Sequence, residues 1–599
     1  MKINLTKVRQ CAIILTCCLP VFIAGCSESG KKDSEIYAEQ VESQNIMKRI
    51  TTDKAAYHPG ESVNFTLQLN SSEPDSNVLI QYRHLGEKIG EQELKVDGTE
   101  AVWDWTPPKD DLIGYMAEVF ISKKGKVVDH LNIAVDVSSD WSKFPRYGYL
   151  GDFPKMSQAQ LERVIERLNR FHINGIQFYD WQYKHHDPIK MADGQPEEVW
   201  PDIANRPVAF DTVKGYIDLA HSKNMKAMNY NLIFGAYENA EEDGVKTEWA
   251  LFKDRNQAEQ DKHPLKGWGV SDIMMYDPAN PNWQNYLIEK EKEVFKHLPF
   301  DGWHVDQLGD RGTLFNASGD VVKLPQGYVS FLKAAKKSLD VDYVMNAVDQ
   351  YGQGLLGALA PLNFLYTEVW SYPKYDNLKE VIDQNSQSSR NKLNTVLAAY
   401  MNYDYSKSRR GVFNTPGVLF TDAVIFSSGG SHLEIGENML SNEYFPNKNL
   451  TVSPKLEEQL IRYYDFHTAY QNILRDGLVE SELKAVSSGG PEISSRAKQG
   501  KIWSFAKQKN GSDIVHFINF SNAVTMDWKD NEANQAEPNE LHDVGINFSA
   551  DRNVSSIMFA SPDYYNGSPV QLSFEQKGGQ VSLKLPKLKY WDLIKVSYF

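Results

Sequence analysis

The stretch FDGWHVDQLGDRG, residues 300–312, decides our prediction of the fold. A short apolar run, residues 303–305, ends on Asp306 and is followed by a loop that contains two glycines. This pattern is typical of a buried parallel strand, because only the carboxyl ends of such strands reach the open face of an α/β barrel. The sequence therefore predicts that Asp306 lies at that face. A strand-end aspartate also commonly caps the turn that follows it, and this alternative stays open for Asp306 taken alone.

From about Arg146 the chain alternates predicted strands with amphipathic helical runs, as parallel βα units do. The run 157–171, for example, places Leu161, Ile165 and Leu168 on one helical face. Eight such units favour a closed (β/α)8 barrel, a TIM barrel. The predicted strands are residues 147–153, 175–180, 226–232, 302–306, 343–347, 364–368, 395–402 and 431–435.

Alternating polar and apolar residues on either side of this region predict two further β domains. The opening of the first, residues 53–62, resembles the start of many bacterial immunoglobulin-like domains. The predicted architecture is therefore multidomain, with a central TIM barrel flanked by an N-terminal immunoglobulin-like β-sandwich and a C-terminal β-sandwich. The expected boundaries are 46–138 for the first domain, 139–477 for the barrel and 478–599 for the last domain.

The amino terminus has the pattern of an export signal. Residues 1–25 combine a basic start with a short apolar stretch, and all four cysteines lie within the first 26 residues. Bacterial lipoproteins resemble this pattern, and cleavage before Cys26 would leave that cysteine for lipidation. We expect an exported lipoprotein, periplasmic or at the outer membrane or cell surface, that touches the membrane only through its N-terminal lipid anchor. Residues 26–45 would be a polar tether. The alternative is a plain secretory signal with a spare cysteine.

Composition narrows the class of ligand. The chain has 599 residues, 41% of them hydrophobic, which is enough for several globular domains. A net charge of −15 argues against nucleic acid as a partner, because such proteins need a clustered basic surface. A neutral polymer remains compatible with this charge. We expect a monomer that needs no cofactor.

A second predicted strand also ends on a carboxylate. Residues 363–367 run into Glu368, and aromatic residues lie within a few positions of both acids, at Trp303, Tyr366 and Trp370. Hydrolysis of a glycosidic bond needs two carboxyl groups, and aromatic rings cover sugar faces. Some of these rings must instead fill the core.

Four segments of the chain carry a family resemblance: GIQFYDWQYKHHDP from Gly175, FDGWHVDQLGDRG from Phe300, LYTEVW from Leu365 and SHLEIGENMLSNEYFPNKNL from Ser431. They resemble glycoside hydrolase family 66, which contains dextranases and cycloisomaltooligosaccharide glucanotransferases. The resemblance implies that Asp306 is the nucleophile and Glu368 the general acid/base. It also implies that Asp180 belongs to the sugar site nearest the cleaved bond. The implied substrates are dextran, an α-1,6-glucan, and isomaltooligosaccharides.

Other side chains at the predicted strand ends suit the recognition of sugar hydroxyls. The predicted substrate-binding residues are Asp180, Trp181, His186, Asn346, Trp370, Asn402 and Glu434. A metal site is a competing interpretation of His185, His186 and Asp187. We predict no metal there, because adjacent histidines point to opposite sides of an extended chain.

The resemblance thus implies retaining endo-hydrolysis of dextran to isomaltooligosaccharides. Burial should raise the pKa of Glu368, and hydrogen bonds should hold the pKa of Asp306 low. The long third loop, residues 234–281, should form one wall of the cleft.

Two alternatives stay open. A cycloisomaltooligosaccharide glucanotransferase would use the same acids, but family members of that kind carry an inserted carbohydrate-binding module for which this chain has no space. The other is a non-catalytic surface glycan-binding lipoprotein, and the presence of both acids speaks against it.

Overall fold

The computed structural model describes residues 36–73, 76–96, 98–265, 267–443 and 448–599. The predicted signal peptide, residues 1–25, and the lipidation site Cys26 lie outside the described residues. Residues 36–45, the end of the predicted tether, are described and contact the first β region: Ala38 is buried, and the Gln44 amide donates to the Val128 carbonyl at 2.9 Å. Within the described part of the chain, no helix is both long and apolar enough to cross a membrane.

Two antiparallel sheets form the first β region and share one hydrophobic core. In the strand Val63–Leu69, every second residue is buried, as expected for a sheet with one face on a core. One sheet contains the strands Met47–Thr52, Val63–Leu69 and Glu100–Trp105; the other contains Glu87–Lys95, Ser76–His84, Ile113–Lys123 and Lys126–Val137.

Eight parallel strands follow, at the positions that the sequence predicts but with somewhat different ends. The first five form one sheet in sequence order, and the last three form a second sheet. Isolated parallel bridges join the two sheets at Asn346–Tyr366 and at Tyr149–Gly436. The strands are Tyr147–Leu150, Gly175–Phe178, Lys226–Leu232, Gly302–Asp306 and Asp342–Met345, then Leu365–Glu368, Thr395–Ala398 and Gly430–His432.

Helices connect these strands and bury one face against them. Helix Gln158–Arg170 begins with a capping box between Ser157 and Gln160 and buries Leu161, Ile165 and Leu168, as its sequence predicts. The remaining α-helices are Phe210–Ser222, Pro281–His297, Leu324–Ser338, Gln353–Leu359, Tyr375–Ser388, Tyr403–Ser408, Thr415–Ser427, Pro454–Ala469 and Gln471–Leu474.

Two helices attach the central region to its neighbours. Helix Pro454–Ala469 packs on the first β region, where Asp465 accepts a hydrogen bond from the Ala134 amide at 3.0 Å. Helix Thr415–Ser427 packs on the strand Ser512–Asn519 and is buried almost throughout, because it is covered on every side.

The carboxyl-terminal region again contains two antiparallel sheets around one core. The larger holds Val479–Glu480, Ile493–Ser494, Ile502–Lys509, Ser512–Asn519, Trp591–Tyr598, Val554–Ala560 and Val570–Gln571; the smaller holds Val486–Gly489, Leu541–Ser549, Gln580–Leu588 and Phe574–Lys577. Short strand pairs in the central loops are Met191–Ala192 with Gln195–Pro196, Val199–Pro201 with Pro207–Ala209, Leu314–Phe315 with Val321–Val322, Gly411–Val412 with Leu450–Thr451, and Ile273–Met275 with both Gly235–Tyr237 and Lys262–His263.

Candidate active site

A cavity of about 310 Å³ lies at the carboxyl ends of the parallel strands. Its walls include residues from the strand ends and, as predicted, from the long third loop, which contributes His263, Leu265, Trp268 and Ile273. Both apolar and polar side chains line it, which suits a ligand with both hydroxyl groups and apolar sugar faces.

Asp306 and Glu368 face each other across this cavity. Asp306 ends the strand Gly302–Asp306, and Glu368 ends the strand Leu365–Glu368. Asn346 lies between them, and its side-chain amide donates to Asp306 Oδ1 at 2.9 Å and to Glu368 Oε2 at 3.2 Å. Because one nitrogen reaches both acceptors, these two oxygens are at most about 6 Å apart, below the ~6.5–9.5 Å at which inverting glycosidases hold their carboxyl groups.

Each carboxyl group also receives a hydrogen bond from a tyrosine. Tyr230, on the third strand, donates to Asp306 Oδ2 at 2.5 Å, and the Gln307 backbone amide donates to Asp306 Oδ1 at 2.8 Å. Tyr400 donates to Glu368 Oε1. These bonds fix the rotamers of both acids, so the facing arrangement is built in before any ligand binds.

Burial raises the pKa of both acids. It raises the pKa of Glu368 to about 7, with the nearby Asp306 charge as the second cause, while hydrogen bonds from Tyr400 and Asn346 act in the opposite direction. The pKa of Asp306 is also raised, because burial outweighs the bonds from Tyr230, Gln307 and Asn346. This corrects our expectation that hydrogen bonds hold the Asp306 pKa low.

Asp180 lies in the same cavity, two residues after the strand Gly175–Phe178. It adopts a positive φ of 49°, and among the described residues its carboxyl group receives one hydrogen bond, from Gln182 at 3.5 Å. Burial raises its pKa to about 7, and the charges of Asp202 and Asp306 add to the rise, whereas Arg206 opposes it. The carboxyl group thus has capacity left for a ligand.

Of the seven predicted binding residues, Asp180, Asn346 and Trp370 line the cavity. Trp181 does not: its ring is fully buried, and its indole nitrogen donates to Asn229 Oδ1 at 2.9 Å. His186 is also buried outside the cavity, where its Nε2 meets Asp243 at 2.9 Å. Its neighbour His185 lines the cavity instead, because adjacent side chains point in opposite directions.

Asn402 and Glu434 are likewise corrections to the predicted site. Asn402 lies beyond the end of its strand at Ala398, and its amide donates to the Asp530 carbonyl at 2.8 Å. Glu434 is fully buried beside the helix Pro454–Ala469 and accepts from the Tyr464 hydroxyl at 3.1 Å.

Glu434 belongs to a buried group with Asp422 and His432. Among the described residues, these three side chains are the ones whose potential metal-ligand atoms all lie within 4.8 Å of one another. His432 Nδ1 and Asp422 Oδ1 are 2.7 Å apart, which is a hydrogen-bond contact, and His432 Nε2 lies 2.8 Å from the Ala399 carbonyl. Since a carbonyl oxygen only accepts hydrogen bonds, His432 Nε2 carries a hydrogen. We therefore interpret the three side chains as a buried hydrogen-bond network.

Several cavity residues were not predicted from the sequence. They are Gln177, Tyr179, Tyr230, His304 and Tyr400. Strand alternation signals Tyr230, because it lies between two asparagines that face Glu291 on the opposite side of the strand. No comparable signal marks Tyr400, which follows the end of its strand.

Known proteins resemble this chain over most of its length. A cycloisomaltooligosaccharide glucanotransferase of Niallia circulans is 27% identical over 92% of this chain and 71% of its own length. A dextranase of Streptococcus salivarius is 25% identical over 87% of this chain and 72% of its own length. The structure of a Paenibacillus sp. cycloisomaltooligosaccharide glucanotransferase complexed with cycloisomaltoheptaose superposes with a TM-score of 0.85, covering 93% of this chain and 100% of that chain at 24% identity. Residues 52–595 match glycosyl hydrolase family 66, and the chain belongs to that family.

Proposed function

We propose that this protein is a retaining endo-hydrolase of α-1,6-glucosidic linkages in dextran, with isomaltooligosaccharides as products. The observation that carries the proposal is the single amide of Asn346 that bridges Asp306 and Glu368. Retaining enzymes hold their two carboxyl groups about 5–5.5 Å apart, and the bridge keeps the facing oxygens within about 6 Å.

In the proposed mechanism, Asp306 attacks the anomeric carbon while protonated Glu368 donates its proton to the leaving oxygen. The glycosidic bond breaks, and a covalent glycosyl ester forms on Asp306. Glu368 then takes a proton from water, whose oxygen attacks the same carbon and releases Asp306. The raised pKa of Glu368, about 7, supports this division, since one group must hold a proton while the other is ionised.

Asp180 and the cavity rings would bind the sugar next to the cleaved bond. Asp180 lines the cavity with its carboxyl group available to sugar hydroxyls, and Trp370 and Tyr179 supply ring faces. Hydrogen bonds that strengthen as charge develops on the sugar would lower the barrier of the reaction.

A cycloisomaltooligosaccharide glucanotransferase is the second candidate function. The lengths of the alignments with the transferase and with the dextranase help to choose between the two functions. The alignment with the Niallia transferase is 702 positions long, but it contains only about 551 residues of this chain, which is 92% of 599. About 150 positions of the transferase alignment therefore have no counterpart in this chain. The dextranase alignment spans 603 positions against about 521 residues of this chain, 87% of 599. The smaller difference supports hydrolysis, because the cyclising members of the family carry an inserted module.

Incubation with dextran and, separately, with starch and cellulose tests the proposal. We expect linear isomaltooligosaccharides from dextran alone, with sizes that fall progressively, and a first product of retained anomeric configuration by NMR. Asp306→Asn and Glu368→Gln should each lose at least about a thousandfold in rate while folding normally. Asp320→Asn, an exposed carboxylate in the loop after Asp306, is the matched control. Cyclic products would favour the transferase, and an inverted product would refute the nucleophile.

We also infer that the eight parallel strands close into a (β/α)8 barrel over residues 139–477, with β-sandwich domains over 46–138 and 478–599. The two parallel bridges between the sheets, at Asn346–Tyr366 and Tyr149–Gly436, support closure. The two flanking cores, each built from a pair of antiparallel sheets, support the domain division.

Export and lipidation are a further part of the proposal. The pattern of residues 1–26 supports an exported lipoprotein anchored through Cys26 and otherwise monomeric. A Cys26→Ser change should release the protein from the membrane fraction and remove the lipid mass. Stable membrane binding needs more than one acyl chain, so a partly lipidated form should detach. A variant that stays with the membrane at unchanged mass would exclude the anchor.

A further inference from the structure

A long loop of the carboxyl-terminal β region reaches back to the candidate active site. Residues 520–540 connect the strands Ser512–Asn519 and Leu541–Ser549. Loops of this length inside a compact fold usually have a function of their own. The centre of this loop contacts the two chain segments that follow Glu368 and Tyr400.

Backbone hydrogen bonds dock the loop on both segments. On the Glu368 side, the Trp528 amide donates to the Pro373 carbonyl at 3.0 Å, and the fully buried Trp528 ring donates to the Tyr372 carbonyl. On the Tyr400 side, the Asn402 amide donates to the Lys529 carbonyl at 2.7 Å. The loop therefore sits at a fixed place behind the acid Glu368.

Lys529 extends from this docked loop to the aromatic wall of the cavity. Its ammonium group donates to the Trp370 carbonyl at 3.1 Å and lies 5.2 Å from the centre of the Trp370 ring. The rings of Trp528 and Tyr403 lie 5.6 and 5.8 Å from the same nitrogen. A cation among three rings attracts each of them, so it holds Trp370 by both its backbone and its ring.

Trp370 in turn supports Glu368 through Tyr400. The Trp370 ring packs on the ring of Tyr400, with centroids 5.0 Å apart. Tyr400 donates to the Glu368 carboxyl group. A continuous series of contacts therefore links Lys529 in the loop 520–540 to Glu368, through Trp370 and Tyr400.

We propose that Lys529 is a positioning residue for Glu368, so that the carboxyl-terminal β region is part of the catalytic unit. This inference rests on the proposed acid/base role of Glu368. Lys529 touches no reacting atom and acts through Trp370.

The inference makes a specific prediction for the titration of Glu368. The Tyr400 hydrogen bond favours the ionised carboxylate and so lowers the pKa of Glu368. Because the Trp370 ring packs on Tyr400, a loosened Trp370 should weaken this bond and raise that pKa. The titratable groups that face Glu368 are Asp306, Tyr366, Tyr400 and Tyr403, and those around the Lys529 ammonium are Asp349, Asp404, Glu443 and Asp527. The test variants leave all of them unchanged.

The test compares Lys529→Met with Lys529→Arg and with the control Lys587→Met. Lys587 belongs to the same region and also lies over a ring, 5.4 Å from that of Tyr564, but outside the loop. On dextran, Lys529→Met should lower kcat about tenfold with KM within about threefold, and should move the alkaline limb of the pH profile up by about 0.5. Lys529→Arg, which keeps the charge and the donors, should retain most of kcat.

A substrate-free measurement separates this inference from the proposed function. Difference infrared titration of the protonated carboxyl band, wild type against Glu368→Gln, follows Glu368 directly. An unchanged Glu368 titration in Lys529→Met overturns the inference, even if that variant melts earlier, whereas a wild type inactive on dextran overturns only the substrate. Should Lys529→Met fail to fold, Lys529→Gln, which keeps a donor for the Trp370 carbonyl, replaces it in both measurements.

Discussion

Replacing Asp306 with asparagine should lower the pKa of Glu368, because it removes the negative charge that faces it. The change keeps the size of the side chain and an acceptor for Asn346, whose amide bridges both groups. Burial is the larger cause of the raised pKa and is not altered, so the value should stay above that of an exposed glutamate.

The Asn346 bridge sets the distance between the two carboxyl groups, and this distance determines how far the pKa of Glu368 should fall. Two unit charges about 6 Å apart interact by about 0.7 kcal/mol in water and about 2.8 kcal/mol at an effective dielectric constant of ~20. Because 1.36 kcal/mol corresponds to one pKa unit, the pKa of Glu368 should fall from about 7 by about 0.5 to 2. The interaction is little screened by salt, since both groups line a partly enclosed cavity.

The assay is an infrared titration of the carboxyl bands. It compares the wild type, the Asp306→Asn variant and the double variant Asp306→Asn, Glu368→Gln, and the difference between the last two isolates the Glu368 band. Asp320→Asn, on the surface of the same loop, should leave that titration unchanged. A Glu368 pKa that is unaltered or higher in Asp306→Asn would show that the two carboxyl groups are not electrostatically coupled, and the facing arrangement would then be wrong.

Three further outcomes are expected. The pH profile of kcat/KM should fall above about pH 7 as Glu368 loses its proton and should fall at low pH as Asp306, with its raised pKa, gains one; a rate that is constant to about pH 9 would exclude Glu368 as the acid. Asp180→Asn should lower kcat about a hundredfold with little change in KM, whereas an early-melting variant with unchanged kcat would make Asp180 structural. Burial raises the pKa of Glu434 well above its usual value, so its neutral form contributes stability at low pH that is lost as pH rises above about 4.5. The melting temperature of Glu434→Gln should therefore fall less between pH 5 and 8 than that of the wild type, and parallel curves would contradict this.

The order of the parallel strands could be predicted because strand and helix periods alternate clearly along the sequence. Asp306 and Glu368 were recognisable for the same reason, since each follows an apolar run at a strand end. The bridge between the two acids could not be predicted, because Asn346 follows a third strand, Asp342–Met345, and reaches both carboxyl groups only in the folded chain.

The sequence did not reveal all of the strand-end side chains that face the cavity. The seventh strand ends at Ala398, four residues before the predicted end, so that Tyr400 faces the cavity and Asn402 binds the carboxyl-terminal loop. A shift of strand end or of register changes which face a side chain occupies, and hydrophobic patterns locate strand ends only to within a few residues.

The sequence by itself determined the alternation of strands and helices, the β regions on either side and the two acids at strand ends. These features depend on local periodicity, which is a property of neighbouring residues. Only the tertiary structure decided that Lys529, more than 150 positions after Glu368, lies against Trp370 beside that acid. Contacts between segments so distant in sequence leave no local pattern, because they form only when the chain packs.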